Sequence, residues 1–239
     1  MEWHFLLPAI KSIKLLDQKI VACIKCPRLV EWREEVAVVK RKSYENEKYW
    51  GKPVPGFGPD NARIVIVGLA PGAHGANRTG RIFTGDSSGD WLYKALHKNG
   101  LATIPTSTSA TDGQKLIDTR ITCAVRCAPP DNKPSTEEKV QCSDYLVNEV
   151  ELLLPTARTF VALGSFAWSA IIKSLRTLGH HIPTPTPKFG HGESFTYVGP
   201  DGVKRLVLGS YHPSQQNTFT GKLTEPMLNS IFKKAKSFK

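Results

Sequence analysis

The sequence predicts an α/β fold: a three-layer α/β/α sandwich around a mainly parallel central sheet. Two observations carry this reading. The short unbroken apolar runs Ile64-Val65-Ile66-Val67 and Phe160-Val161-Ala162-Leu163 have the length and character of strands buried on both faces. Such runs alternate along the chain with stretches of helical length and periodicity, the pattern that builds helices over both faces of a parallel sheet.

Taken in order, Ile10, Ile13, Leu16 and Ile20 recur at helical spacing, and Arg28–Lys42 continues in the same manner with Leu29, Trp32 and Val36 on one face. Residues 51–60, rich in Gly and Pro, read as a loop wrapped against the domain. Residues 63–67 form a first strand that runs into a glycine-dense loop, 68–89, before a short helix at 90–99. Residues 103–114 read as a polar loop and 118–125 as a second strand, ending near Cys127. Ser135 with Glu138 three residues on forms a capping box for a helix reaching about Leu154. A third strand at 159–163, a helix at 165–178, a Pro/Gly/His loop at 180–192, a hairpin (194–198 and 204–208) and a terminal helix at 224–237 complete the chain.

Its 239 residues suit one domain spanning 1–239, with 40 % hydrophobic and 22 % charged residues. Collagen, coiled coil and disorder are thereby excluded. No apolar run approaches the roughly 20 residues that cross a bilayer, so no membrane association is expected. The first eight residues, Met1 to Pro8, lack the basic start and small-residue cleavage site of a secretion signal, and a cytoplasmic location is expected. Lys and Arg total 32 against 21 Asp and Glu, a net +11 that favours a polyanionic partner such as nucleic acid. Arg78, Arg81 and Lys133, in or beside the loops, are candidate phosphate contacts.

Five cysteines without a secretion signal point to metal or redox use ahead of disulfides. Cys23-Ile24-Lys25-Cys26 is a CxxC motif in a helical, charged setting unlike that of a thioredoxin. Cys123, Cys127 and Cys142 lie far downstream. With no histidine near the motif, four thiolates are the natural ligand set, which suits zinc and an iron–sulfur cluster equally.

Two loops concentrate chemistry. The stretch from Gly68 to Asp86 (GLAPGAHGANRTGRIFTGD) offers backbone N–H groups to a ligand, but it is neither a P-loop nor a dinucleotide fingerprint. The stretch from His212 to Thr218 (HPSQQNT) packs polar side chains around one histidine directly after the last strand. Together with the stretch from Val125 to Pro134 (VRCAPPDNKP) and Cys26-Pro27-Arg28-Leu29-Val30, these segments resemble the active-site motifs of the family 5 (type b) uracil-DNA glycosylases, in the iron–sulfur branch of their superfamily. The resemblance runs from Cys23 to about Thr224.

The resemblance implies a uracil-DNA glycosylase-like fold and a monofunctional DNA repair enzyme that hydrolyses the N-glycosidic bond of uracil, leaving an abasic site. It implies a [4Fe–4S] cluster held by Cys23, Cys26, Cys127 and Cys142, tying helices at about 8–42 to the rest of the domain. Cys123 falls outside this set and reads as a small buried residue on the second strand. The implied catalytic residues are Asp86, Asn132 and His212. His212 would donate a hydrogen bond to the departing base, with help from the turn of Gly68, Ala70 and Gly72. Asn132, with Asp86 as second contributor, would hold the water, because Ala70 stands where sister families place a polar water-binding side chain. Phe83 would stack on the extruded base, Gln215, Gln216 and Asn217 would enter the minor groove to fill the gap left by flipping, and Ser214 would join them in binding the substrate. Cys123 occupies the place where a related iron–sulfur family reads the uracil edge with Asn, so hypoxanthine and modified uracils are expected substrates too. The implied partners are double- and single-stranded DNA with deaminated bases, and a monomer is expected. The competing reading is a non-catalytic, metal-stabilised nucleic-acid-binding module, which composition and cysteines fit equally; an enzyme acting on a small phosphate compound is a more distant third.

Overall fold

The computed structural model describes residues 10–239. The expected helical start near residue 8 and the reading of Met1–Pro8 lie outside these residues. Five strands, β1 (Ile64–Gly68), β2 (Thr119–Cys123), β3 (Thr159–Leu163), β4 (Ser194–Val198) and β5 (Lys204–Ser210), form one sheet in the order β2-β1-β3-β5-β4. All neighbouring pairs are parallel except β4–β5, the expected hairpin. The chain runs outward from β1 to β2 and then returns to β3 on the other side of β1. That reversal opens a crevice at the C-terminal ends of the strands, where ligands of open α/β sheets bind.

Alternation along the strands builds two separate cores. Ile64 and Ile66 of β1, Val161 of β3 and Leu208 of β5 pack with Leu92 and Leu96 of α4 (Ser87–Lys98) and with Leu228 and Phe232 of α8 (Glu225–Ser237). On the opposite face Val65, Val67, Phe160 and Val207 meet Leu146 and Val150 of α5 (Thr136–Leu153) and Ile171 and Leu175 of α6 (Ser165–Thr177). Each such side chain, when fully buried, contributes about 1.5–3 kcal/mol relative to exposure. The capping box on α5 forms as expected: Ser135 Oγ accepts from the Glu138 N–H, and the Glu138 carboxylate accepts from the Ser135 N–H at 2.7 Å. Among the described residues no helix is long and apolar enough to cross a membrane.

One strand departs from the apolar pattern. The α5-facing positions of β2 are Arg120 and Thr122, and they surround the fully buried Glu149 of α5. Glu149 accepts from Arg120 Nε and Thr122 Oγ1, each at 2.6 Å, and from Arg126. Burial alone would raise its pKa; Arg126 and Arg120 hold it well below the usual carboxylate range instead. Asp17 of α1 (Ile13–Val21) also meets Arg120, at 3.1 Å, which ties the N-terminal helix to the sheet edge. The loop at 51–60 wraps this edge as expected, with Phe57 and Ile121 exchanging backbone hydrogen bonds of 2.8 Å.

Two short helices stand inside segments read as loops: α3 (Ala76–Thr79) and α7 (Gln215–Phe219). Neither has the length to show an apolar period. Helix α2 (Pro27–Val39) begins directly after Cys26, with Pro27 at its first position, where a missing N–H costs nothing.

Candidate active site

The loops after β1, β2 and β5 converge on one cleft of about 860 Å³. Of the residues singled out in the sequence, Ala70, Gly72, Phe83, Asp86, Asn132, His212, Ser214 and Gln216 line it. Gly68 does not; it ends β1 beneath the cleft. A side chain there would lie 2.9 Å from the ring of Phe83 and 3.1 Å from Cys123 Sγ, so the bare glycine is what lets Phe83 settle on the strand end.

Phe83 is 6 % exposed and holds a left-handed backbone, φ 51°. A bulky residue in that conformation is strained, a mark that concentrates at functional sites. Its ring lies 5.6 Å from that of His212, tilted by 33°. Desolvation lowers the pKa of His212 to about 4, so the imidazole is neutral at physiological pH. Its main chain is fixed by Asn217, whose Nδ2 donates to the His212 carbonyl at 2.9 Å. Asn217 is thus turned toward the protein instead of the cleft, and Ser214 caps α7 through the Asn217 N–H.

Asp86 is the N-cap of α4, its Oδ1 accepting from Gly89 N–H at 2.9 Å. Burial raises its pKa, opposed by the Gly89 N–H. Its other oxygen faces the loop after β1. A Cβ on Gly75 would stand 2.0 Å from Asp86 Oδ2 and one on Gly72 3.1 Å away, so this carboxylate reaches the loop only because both positions lack side chains. Asn132 enters from the loop after β2, exposed, in the second of two consecutive left-handed residues, Asp131 (φ 52°) and Asn132 (φ 57°). Asn tolerates this conformation better than most residues, and here it projects an amide into the cleft.

Two arginines expected to meet phosphate do not. Arg78 is buried against the Glu47 carboxylate, the Gly85 carbonyl (2.9 Å) and the ring of Tyr44 (3.9 Å). Arg81 is buried on Asp112 (2.6 Å), Ser107 (2.7 Å) and Thr84 (2.9 Å). Both brace the loop internally, because acids distant in sequence claim their charge first. Lys133 is exposed. The sequence reading also missed a cleft wall made by Trp32, Arg41, Tyr44 and His74. His74 Nδ1 lies 3.1 Å from Tyr49 Oη, and burial, then Arg41 and Arg78, lowers its pKa. The histidine in the glycine-rich loop was the one visible signal for this wall.

Cys23, Cys26, Cys127 and Cys142 line a second, small cavity with Leu29, Val125 and Tyr145; Cys123 stands apart, 1 % exposed in the core. All five thiols are unpaired. Arg33 of α2, 3 % exposed, donates from Nη1 to Cys127 Sγ at 3.0 Å and to the Cys23 carbonyl at 3.2 Å. The Arg126 N–H donates to Cys142 Sγ at 3.3 Å. Burial raises the thiol pKa of Cys127 to about 11 and of Cys142 to about 12. Among the described residues no three His, Cys, Asp or Glu side chains converge as tightly as a single ion requires. Four thiols line this one cavity, with the Arg33 guanidinium on Cys127 and the Arg126 backbone N–H on Cys142, a donor set of the kind that holds zinc or an iron–sulfur cluster. The carbonyl of Arg33 accepts from Asn77 Nδ2 at 3.1 Å, linking α2, which starts directly after Cys26, to α3 in the cleft loop.

The sheet order and a cleft built from these three loops define a class. A model of the uracil DNA glycosylase superfamily matches residues 55–236. The chain is 53 % identical over 225 residues to a type-5 uracil-DNA glycosylase of Mycobacterium bovis, covering 94 % of this chain and 81 % of that one. It is 48 % identical to that of Thermus thermophilus (92 % and 94 % covered) and 46 % identical to that of Pyrobaculum aerophilum (91 % and 89 %). The chain belongs to the type-5 uracil-DNA glycosylases of this superfamily.

Proposed function

We propose that this protein is a monofunctional DNA repair glycosylase that hydrolyses the bond between uracil and deoxyribose in DNA, leaving an abasic site. The observation that carries this reading is the convergence of Asp86, Asn132, neutral His212 and Phe83 on one cleft. The target base must leave the stack before its bond is accessible, at a cost of a few kcal/mol that pocket contacts offset. Phe83 offers its ring to the extruded base. As the bond breaks, positive charge builds on the sugar and negative charge on the base. His212 donates an N–H to the base oxygen; the neutral imidazole keeps one N–H for this purpose, so the role needs no protonation of the ring. The Asn132 amide orients water toward the sugar carbon, with Asp86 as second polar contributor. A water meeting a cation-like sugar needs placement more than early deprotonation. The water oxygen bonds to that carbon, the base leaves with the bonding electrons, and the water proton passes to solvent or base.

Cys23, Cys26, Cys127 and Cys142 would hold a [4Fe–4S] cluster, which when bound would cross-link the turn before α2 to the segment after β2 and to α5. Residues 1–239 then act as one catalytic domain with its N-terminal helices clamped on. Cys123, buried under Phe83 and Gly68, puts no polar group into the cleft. That supports a tolerant site, taking hypoxanthine and modified uracils as well as uracil, in double- or single-stranded DNA. On this reading the protein acts as a monomer in the cytoplasm.

The test is incubation with a duplex bearing one uracil, then alkali to cut any abasic site, beside an Asn132→Ala, His212→Ala double variant. Cleavage by the wild type alone is expected. Tight binding without cleavage of any lesion, in protein with a full cluster, would replace the enzyme by a binding module.

A further inference from the structure

We infer that Phe219 is the wedge that enters the DNA base stack beside the extruded nucleotide, an inference that rests on the glycosylase reading above. Phe219 is 80 % exposed, and no aromatic side chain among the described residues is more so. Single exposed apolar residues are common on protein surfaces; this one is set apart by where it stands and how firmly it is held.

Phe219 is the last residue of α7, the five-residue helix that also carries Gln215 and Gln216, both on the cleft. Spacings of four and three residues put all three side chains on one helix face, so the Phe219 ring continues the rim of the cleft outward. The helix is braced at both ends. Ser214 caps its start, Asn217 Nδ2 holds the His212 carbonyl, and the Leu223 N–H donates to the Asn217 carbonyl at 2.9 Å with Leu223 fully buried in the core. The ring is therefore presented to solvent by a platform that also fixes His212.

Extrusion of a nucleotide leaves a gap lined by the faces of two bases. An apolar ring fills it without stranding polar atoms, and proteins that kink duplexes from the minor groove use Phe in this way. A glutamine amide in the same gap would lose its hydrogen bonds to water. At the groove edge it keeps them, so Gln215 and Gln216, expected from the sequence to fill the gap, suit base edges instead, Asn217 is committed to the His212 carbonyl, and the stack falls to Phe219. The occupant of this surface is thus duplex DNA at the step next to the lesion, continuous with the cleft that receives the base. Because His212 and Phe219 share one brace, insertion of the ring and placement of the imidazole occur together.

The experiment compares wild type, Phe219→Ala and Phe219→Leu on one uracil placed in a duplex and in the matching single strand, with 2-aminopurine beside the uracil to report unstacking. For Phe219→Ala a fall of about tenfold or more in kcat/KM on the duplex is expected, with single-strand cleavage within about twofold of wild type, weaker 2-aminopurine fluorescence and an unchanged Tm. Phe219→Leu, which keeps an apolar wedge, restores most of the duplex activity. Equal cleavage of the duplex by wild type and Phe219→Ala, or an equal fall on both substrates, overturns the inference while leaving the glycosylase reading intact. A wild type that cleaves neither substrate overturns both.

Discussion

Neutral His212 makes the sharpest quantitative prediction, because one burial effect governs both stability and catalysis. Its pKa lies at about 4 in the folded protein against an ordinary 6.5. Above pH 6.5 the imidazole is neutral in folded and unfolded chains and contributes no pH dependence. Below that value the unfolded chain takes up a proton that the folded one refuses, so stability falls as pH falls, by about 1.4 kcal/mol per pH unit. The loss is complete near pH 4, at about 3 kcal/mol. Urea unfolding of wild type and His212→Ala, which neither titrates nor donates, at pH 6.5 and pH 5 isolates the effect: the wild type should lose about 2 kcal/mol more than the variant over this interval. In the same pair kcat should drop by about 10²–10³-fold in the variant at pH 7, the cost of losing one hydrogen-bond donor to a developing oxyanion. The wild-type kcat should show no limb near pH 6.5 from this group. Parallel stability profiles in the two proteins would refute the argument, since they would mean that His212 titrates alike in folded and unfolded chains.

Further outcomes follow from other contacts. Gly75→Ala drives a methyl to within 2.0 Å of Asp86 Oδ2, so about 1–3 kcal/mol of stability should be lost and kcat should fall more steeply than in an Ala substitution on the exposed face of α8; normal activity would show that Asp86 can retreat harmlessly. Glu149→Gln leaves Arg126 buried without a counter-charge and Arg120 with Asp17 alone, and urea unfolding should register a loss of about 3–5 kcal/mol. Cys142→Ser should lower both bound iron and Tm, whereas a variant that lost its iron at unchanged Tm would deny the cluster a structural role. Asn77→Ala, which cuts the buried bond to the Arg33 carbonyl, should raise amide exchange across Gly72–Thr79 while iron content stays full.

What could be read before folding was whatever depends on local pattern. Strands β1 and β3 declare themselves as apolar runs, the capping box fixes the start of α5 at Ser135, and motif order brings Asp86, Asn132 and His212 to the ends of strands. What could not be read depends on partners remote in sequence. Arg78 and Arg81 look like free cations in a glycine-rich loop until Glu47 and Asp112 fold against them. Arg120 and Thr122 disguise one buried face of β2 as polar, because the charge that satisfies them sits on α5. Asn217 looks like its glutamine neighbours, and only the folded turn shows its amide pointing inward to His212. Helices α3 and α7 are shorter than two turns and leave no periodicity to detect.

The cleft has two origins. Its chemical groups come from within residues 55–236, the span that matches the superfamily as a whole, whereas Trp32, Arg41 and Tyr44 come from the preceding helical segment. That segment is fastened by the cysteine-lined cavity, by Arg33 on Cys127 and by Asn77 on the Arg33 carbonyl, and none of these ties touches Asp86, Asn132 or His212. One side of the opening can therefore be recut, altering what enters and how DNA lies across it, without moving the three side chains proposed to break the bond. In such an arrangement diversity of substrate within a lineage would accumulate first in the helices before residue 55.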